Sequence, residues 1–179
     1  EKCDTYIMDF QGEPIVTKFE FLKALAIARV YGFKEYEKAL TFIKLNYSST
    51  IEGKEAERIL DDVLPTVKND RFLKNDLSDN YKIVYQFDTV SNSDIDSQIT
   101  SLKKYIDKVD YLDLTVSEDF YNNIVTFVVV HGLKSYDGSL GLAERLENSI
   151  DIQAKSFFVI STDNYKTIQI HKNLDKFEK

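Results

Sequence analysis

The chain has 179 residues, 43% of them hydrophobic, and its 23 Lys and Arg against 30 Asp and Glu leave a formal charge of −7. That apolar content is enough for a packed core and excludes a disordered polymer. The acidic balance argues against a nucleic-acid binder, which draws its affinity from clustered Lys and Arg, and equally against docking on an anionic membrane. Cys3 is the single cysteine, so neither an internal disulfide nor a cysteine-based metal site can form. No apolar run reaches the roughly 18 residues of a membrane span, and no stretch of these residues reads as a signal peptide. The chain opens at Glu1 without Met and reads as a processed product or an excised fragment.

The first elements are helices. Thr17-Lys18-Phe19-Glu20 has the spacing of a capping box, and Leu22, Leu25, Ala26 and Val30 follow at helical intervals until Gly32. Tyr36, Ala39, Leu40 and Ile43 mark the buried stripe of a second helix, and Asn46 to Thr50 is a polar turn. A third helix runs from about Gly53, with Ala56, Ile59, Leu60 and Val63 inward, and Pro65 predicts its end. Short helices with small residues at their crossings read as a helical-repeat segment that buries its face only against further repeats or a neighbour. Charged and polar residues from Val67 to Asn80 read as a connection, which places a boundary near 76 and divides the chain into 1–75 and 76–179.

Beyond it the period changes. Tyr81, Ile83, Tyr85 and Phe87 alternate as in a half-buried strand, and Ile95, Ile99, Leu102, Ile106 and Val109 recur as an amphipathic helix. Tyr111 to Val116 reads as an edge strand and Ser117 to Asn123 as a turn. Ile124 to His131 is apolar at almost every position, so it reads as a central strand with both faces covered. A helix carrying Leu140, Ala143 and Leu146, a strand at Phe157 to Ile160 and a last helix from Ser161 or Thr162 complete the order. The expected class is α+β: a short tetratricopeptide-like segment followed by a ferredoxin-like βαββαβ sandwich with a C-terminal helix. Helices cover one sheet face in such a fold. The other would be apolar here, with Val125, Phe127 and Val129 (or Ile124, Val128 and Val130) on it, and is expected to be covered by the last helix, the repeat segment or a partner.

Residues able to do chemistry are scattered. His131 and His171 are the only histidines, and neither has a partner at a metal-binding spacing on a helix. Asp61-Asp62, Asp94 with Asp96, and Glu118-Asp119 lack the spacing of a calcium loop and read as helix-terminal and turn residues. Gly138-Ser139-Leu140-Gly141 lacks the lysine of a phosphate loop and reads as a helix cap. The expectation is a chain without catalytic residues, cofactor or metal; an unrecognised small-molecule enzyme would need a pocket of converging polar groups.

The stretch from Phe42 to Glu57, with its Tyr47-Ser48-Ser49-Thr50 turn and Gly53 entering the next helix, resembles the tetratricopeptide-like repeats of bacterial outer-membrane lipoproteins, although Ser48 stands where Pro is usual. Phe157 to Lys166 and Lys172 to Phe177 resemble the C-terminal domain of the PorW/SprE lipoproteins of Bacteroidetes. The resemblance implies a protein of type IX secretion and gliding motility, periplasmic and held at the outer membrane through an acylated Cys that this chain lacks; Glu1-Lys2 before Cys3 is no lipobox. It implies a scaffold or adaptor whose partners are other subunits of an envelope assembly. The candidate partner-binding residues are Val125, Phe127 and Val129. The alternative is a peptidoglycan-binding module, since SPOR domains share a similar strand and helix order.

Overall fold

The computed structural model describes residues 1–74, 78–89, 92–108 and 113–178, with side chains from Ile95 onward in the segment that begins at 92. It is α+β, with helices and one four-stranded antiparallel sheet. Contacts divide it into two compact units, residues 1–71 with 167–179, and residues 72–166.

The helical unit begins with α1 (Lys2–Asp9), which exposes every residue to some degree and holds on through Tyr6 and Phe10 at the ring of Phe19, 5.0 and 6.1 Å away. No apolar period announced this helix. Next, α2 (Val16–Tyr31) starts one residue before Thr17, so Thr17 is not its cap: the hydroxyl is buried and lies 3.1 Å from the Pro14 carbonyl and 2.9 Å from Glu52. The inward stripe also differs from the expected one. Ala24 is buried, whereas Leu22 and Leu25 are 54% and 45% exposed. An α2 that is apolar around most of its girth offers more than one stripe, and periodicity alone does not choose between them. Gly32, at φ 81°, ends α2.

Helix α3 (Phe33–Asn46) buries Phe33, Leu40 and Ile43. Thr50 then caps α4 (Ile51–Arg58) by accepting a hydrogen bond from the Gly53 amide at 3.0 Å, satisfying one of the free donors of a helix start. Pro65 does not terminate this helix as expected. The chain takes a π-helical turn at Ile59–Val63 and continues as α5 (Leu64–Val67), with Pro65 in the new first turn, where its missing N–H would have had no helical acceptor. The wider turn rotates Val63 outward to 38% exposure, against the inward position its spacing predicted. Ala24, Phe33, Leu40, Ile43, Ala56 and Leu64 form the core of this unit.

The C-terminal residues, placed by the sequence with the sheet, group with the helices from 167 onward. Ile170 packs on the helical core, His171 Nε2 donates to the Val67 carbonyl at 3.0 Å, and Lys176 pairs with Asp70 at 2.9 Å. The helix that carries Ile170 is α8 (Thr162–His171), and α9 (Leu174–Phe177) follows it.

In the sheet unit the order is β1 (Tyr81–Asp88), α6 (Asn92–Ile106), β2 (Thr115–Phe120), β3 (Val125–Leu133), α7 (Tyr136–Ser149) and β4 (Ser156–Ser161). The strands lie as β2-β3-β1-β4, every neighbouring pair antiparallel. Tyr81, Ile83, Tyr85 and Phe87 of β1 join Ile95, Leu102 and Ile106 of α6 and Leu142, Ala143 and Leu146 of α7 in one core, on the spacing that the sequence carries. Val109, Tyr111 and Leu112, with residue 76, lie outside the described residues. The edge strand is displaced from its expected place: it begins at Thr115 and includes Ser117 and Asp119, which were read as turn. The reversal falls at Asn122, whose Oδ1 accepts from the amides of Ile124 and Val125 at 2.9 and 2.8 Å. Among the described residues no helix is long and apolar enough to cross a membrane.

Candidate functional site

Two places combine accessibility with organisation, one in each unit. In the helical unit several large apolar side chains remain on the outside. Leu22, Leu25, Tyr31, Phe42, Leu45, Ile51 and Val63 are all exposed, up to 74% at Leu45 and 83% at Ile51. In the sheet unit the exposed large apolar side chains among the described residues are Leu73 and Ile124. Single exposed apolar residues are ordinary, but a concentration on one unit marks a surface for association. Part of it is concave: a groove of about 690 Å³ is lined by Leu25, Phe33, Ile59 and Val63, with Arg29 and Arg58 as its charged residues. Arg58 is clasped by Glu55 in a bidentate pair at 2.9 and 2.7 Å.

In the sheet unit the second sheet face, opposite α6 and α7, carries the residues expected to dock a partner. Phe127 and Val129 are there, and both have 0% exposure. Phe127 stacks on Tyr121 at 4.7 Å and meets Phe158 and Tyr165 at 6.0 and 6.3 Å. Val125 is half-buried at the strand end. Of the covers expected for this face, the last helix is the one found: Tyr121 and the first turn of α8 close over it, so Phe127 and Val129 are core and their reading as partner-binding residues is corrected. The physical reason is the alternation of β3, which sends one set of large side chains to each face and obliges the chain to cover both.

The same face turns polar toward the far end of β3. There Gly132, at φ 94°, sits in a bulge that places one extra β3 residue opposite β1 between the Tyr81 and Ile83 pairings. A side chain at Gly132 would run into the Asp113 carbonyl. The alternation that puts Phe127 and Val129 on this face puts His131 there too, and β3 runs on to Leu133, so His131 lies on the sheet and not toward a loop as its position near a strand end suggested. Lys82 Nζ is 3.0 Å from His131 Nδ1, and Ser117 Oγ is 2.7 Å from Nε2. Ser117 in turn donates to Asp119 Oδ1 at 2.8 Å, and the Tyr165 hydroxyl donates to Asp119 Oδ2 at 2.6 Å. Lys82 also lies over the Tyr165 ring, 5.7 Å from its centre.

Donor and acceptor roles follow from the ends of this chain inward. The lysine donates, so Nδ1 accepts and the imidazole proton sits on Nε2, directed at Ser117; the serine proton is committed to Asp119. Burial holds the His131 pKa below its ordinary value, and the Lys82 charge adds to that against an opposing pull from Asp119. Burial also lowers the Lys82 pKa, with Asp119 opposing and Lys166 reinforcing. A nucleophilic serine needs the reverse polarity, a histidine nitrogen that accepts the hydroxyl proton and a carboxylate on the other nitrogen. Here an amine occupies the carboxylate's place.

His131 was singled out in the sequence, and Asp119 was too, but as a turn residue beside Glu118; Lys82, Ser117 and Tyr165 were not taken as site residues. Only the register brings residues so distant in the chain together; the available signal was Ser117 and Asp119 at a spacing of two, which puts both on one strand face. His171 serves the helical unit: its ring is 5.2 Å from Phe33. Asp61 pairs with Lys44 at 3.2 Å. Ser135, not the glycines after it, caps α7 by accepting from the Gly138 amide. Among the described residues no group of three or more His, Cys, Asp or Glu is placed to hold a metal ion. The chain matches no protein family, no curated protein and no solved structure.

Proposed function

We propose that this protein is a non-catalytic adaptor that binds protein partners through the helical unit. The observation that carries the reading is the apolar groove, whose walls at Leu25 and Val63 are 45% and 38% exposed, within a unit that leaves many other large apolar side chains open. Two further observations support it. The polar chain on the sheet has the wrong direction for a nucleophile. The sheet face opposite α6 and α7 has Phe127 and Val129 at 0% exposure, which leaves those side chains unavailable to a ligand.

The finer architecture belongs to this proposal. We read the helical unit as tetratricopeptide-like, supported by Thr50 capping α4 and by Gly53, where a Cβ would collide with the Tyr47 carbonyl, so that a residue without a side chain is required at that turn. We read the sheet unit as ferredoxin-like, supported by the order β2-β3-β1-β4 and its two helix crossovers. The setting in an outer-membrane type IX secretion assembly rests on the resemblance noted above, and a full-length precursor with a lipobox Cys and further upstream repeats would support it; a cytoplasmic start would remove it.

The binding reading is tested with a photo-crosslinking amino acid placed at Leu25, at Leu45 and, as a control on the sheet unit, at Ile124, in cells that make the protein. Discrete adducts from Leu25 or Leu45 and none from Ile124 are expected. Adducts of equal yield at all three positions, or none at any, would sink it.

A further inference from the structure

The polar chain on the sheet face has a property that is separate from partner binding by the helices. Its middle member, His131, accepts a hydrogen bond at Nδ1 and donates one at Nε2; Ser117 suits either protonation state, and Lys82 at Nδ1 is the neighbour that requires the neutral ring. We propose that Lys82, His131, Ser117, Asp119 and Tyr165 form a proton-operated latch: with His131 neutral it holds the first turn of α8 on the sheet, and a proton taken up at Nδ1 opens it.

The opening follows from charge and geometry. Protonation adds N–H to the nitrogen that faces Lys82 Nζ at 3.0 Å, so two donors, both cationic, confront each other and the bond is lost. The groups facing the ring are Lys82 from β1, Ser117 and Asp119 from β2, and Tyr165 from α8, with Lys166 acting on Lys82 from the same turn. Asp163 lies 3.6 Å from Lys166, and Asp113, beside the bulge, is exposed and contributes its carbonyl to the contact with Gly132. Among these, Asp119 is the carboxylate that bridges strand to helix, and it would have to serve His131 as an imidazolium, Lys82 and the Tyr165 hydroxyl at once. Lys82 Nζ already lies 5.7 Å from the centre of the Tyr165 ring, and the Lys166 charge from the same turn acts on it, so Lys82 cannot turn from the imidazolium without disturbing that turn. The strain therefore falls on the turn of α8 that carries Tyr165 and Lys166.

The direction with pH is fixed by burial and by Lys82, which hold the folded His131 below its unfolded value. Between those two values the unfolded chain carries more protons than the folded one, so the contribution of His131 is complete above the unfolded pKa and declines as pH falls through the folded one. Because one proton is coupled to opening, protection of the α8 amides changes by at most about tenfold per pH unit.

The test is NMR on the full chain between about pH 7.5 and 5, following the two imidazoles, with His171 as the internal reference, and the exchange of the Tyr165 and Lys166 amides after correction for intrinsic rates. The wild type should show a His131 pKa below its ordinary value and loss of α8 protection that tracks it. In His131→Gln, protection should lose that pH dependence; in Lys82→Met, which keeps the imidazole and removes the opposing charge, the His131 pKa should rise. A His131 pKa at or above the ordinary value, an unchanged pKa in Lys82→Met, or protection that follows pH alike in wild type and His131→Gln would overturn the latch.

Discussion

Tyr85 shows how a single buried group can be at odds with its surroundings. Its ring fills the core between the sheet and the helices with 0% exposure, yet its hydroxyl has no hydrogen-bond partner among the described residues. Burial, with the nearby charge of Glu147, raises its pKa. Removing an unsatisfied hydroxyl while keeping the ring relieves a desolvation cost, so Tyr85→Phe is expected to leave stability unchanged or raise it by about 1 kcal/mol in urea unfolding; a loss of that size would show the hydroxyl to be satisfied. Gly132 has the opposite sensitivity. Its φ of 94° and the Asp113 carbonyl beside it predict that Gly132→Ala costs about 1–3 kcal/mol in the same measurement. Lys172 is half-buried just after α8, and burial with the charge of Arg29 pulls its pKa down to about 8. Between there and the ordinary value the unfolded chain binds more protons, so the contribution of this residue to stability rises with pH across that window. The urea midpoint of wild type should therefore gain on that of Lys172→Met between pH 8 and about 9.5; parallel curves would refute the shift.

Elements depend on signals of different reach. The Thr50 cap is local, and Thr50→Ala should cost about 1 kcal/mol of stability, with helix content lost at α4, read by circular dichroism. The same locality makes α3, α6 and α7 legible in the sequence, since Leu40 and Ile43, Ile95 and Leu102, and Ala143 and Leu146 recur at helical spacing and are buried. Three features are not local and were read differently. The inward stripe of α2 was displaced because that helix carries apolar residues on several sides. Pro65 was taken as a stop, but the π-helical turn before it re-forms the helix around the missing donor. β2 was assigned too early because Leu112, Leu114 and Val116 alternate, while the strand that pairs with β3 is the polar Thr115–Phe120, which an edge position tolerates.

At the scale of the molecule the two units answer differently to the same perturbation. A charge at Phe127 enters a core with 0% exposure and should unfold the sheet unit, with loss of strand signal in Phe127→Asp; Leu25→Asp, on an exposed wall of the groove, should leave stability within about 0.5 kcal/mol and weaken the crosslinks from a probe at Leu45. A folded Phe127→Asp, or Leu25→Asp with its crosslinks intact, would exchange the roles assigned to the two faces. The amino-acid sequence by itself determined the class of the fold and the acidic surface, because helical and strand periods and net charge are written within short windows or in simple counts. It also determined that β3 would be covered on both faces. What covers the second face, and which residues meet there, only the tertiary structure decided: Lys82, Ser117, Asp119, His131 and Tyr165 become neighbours through strand register and the path of α8. Register is a long-range choice made by packing, and no local pattern in the chain specifies it.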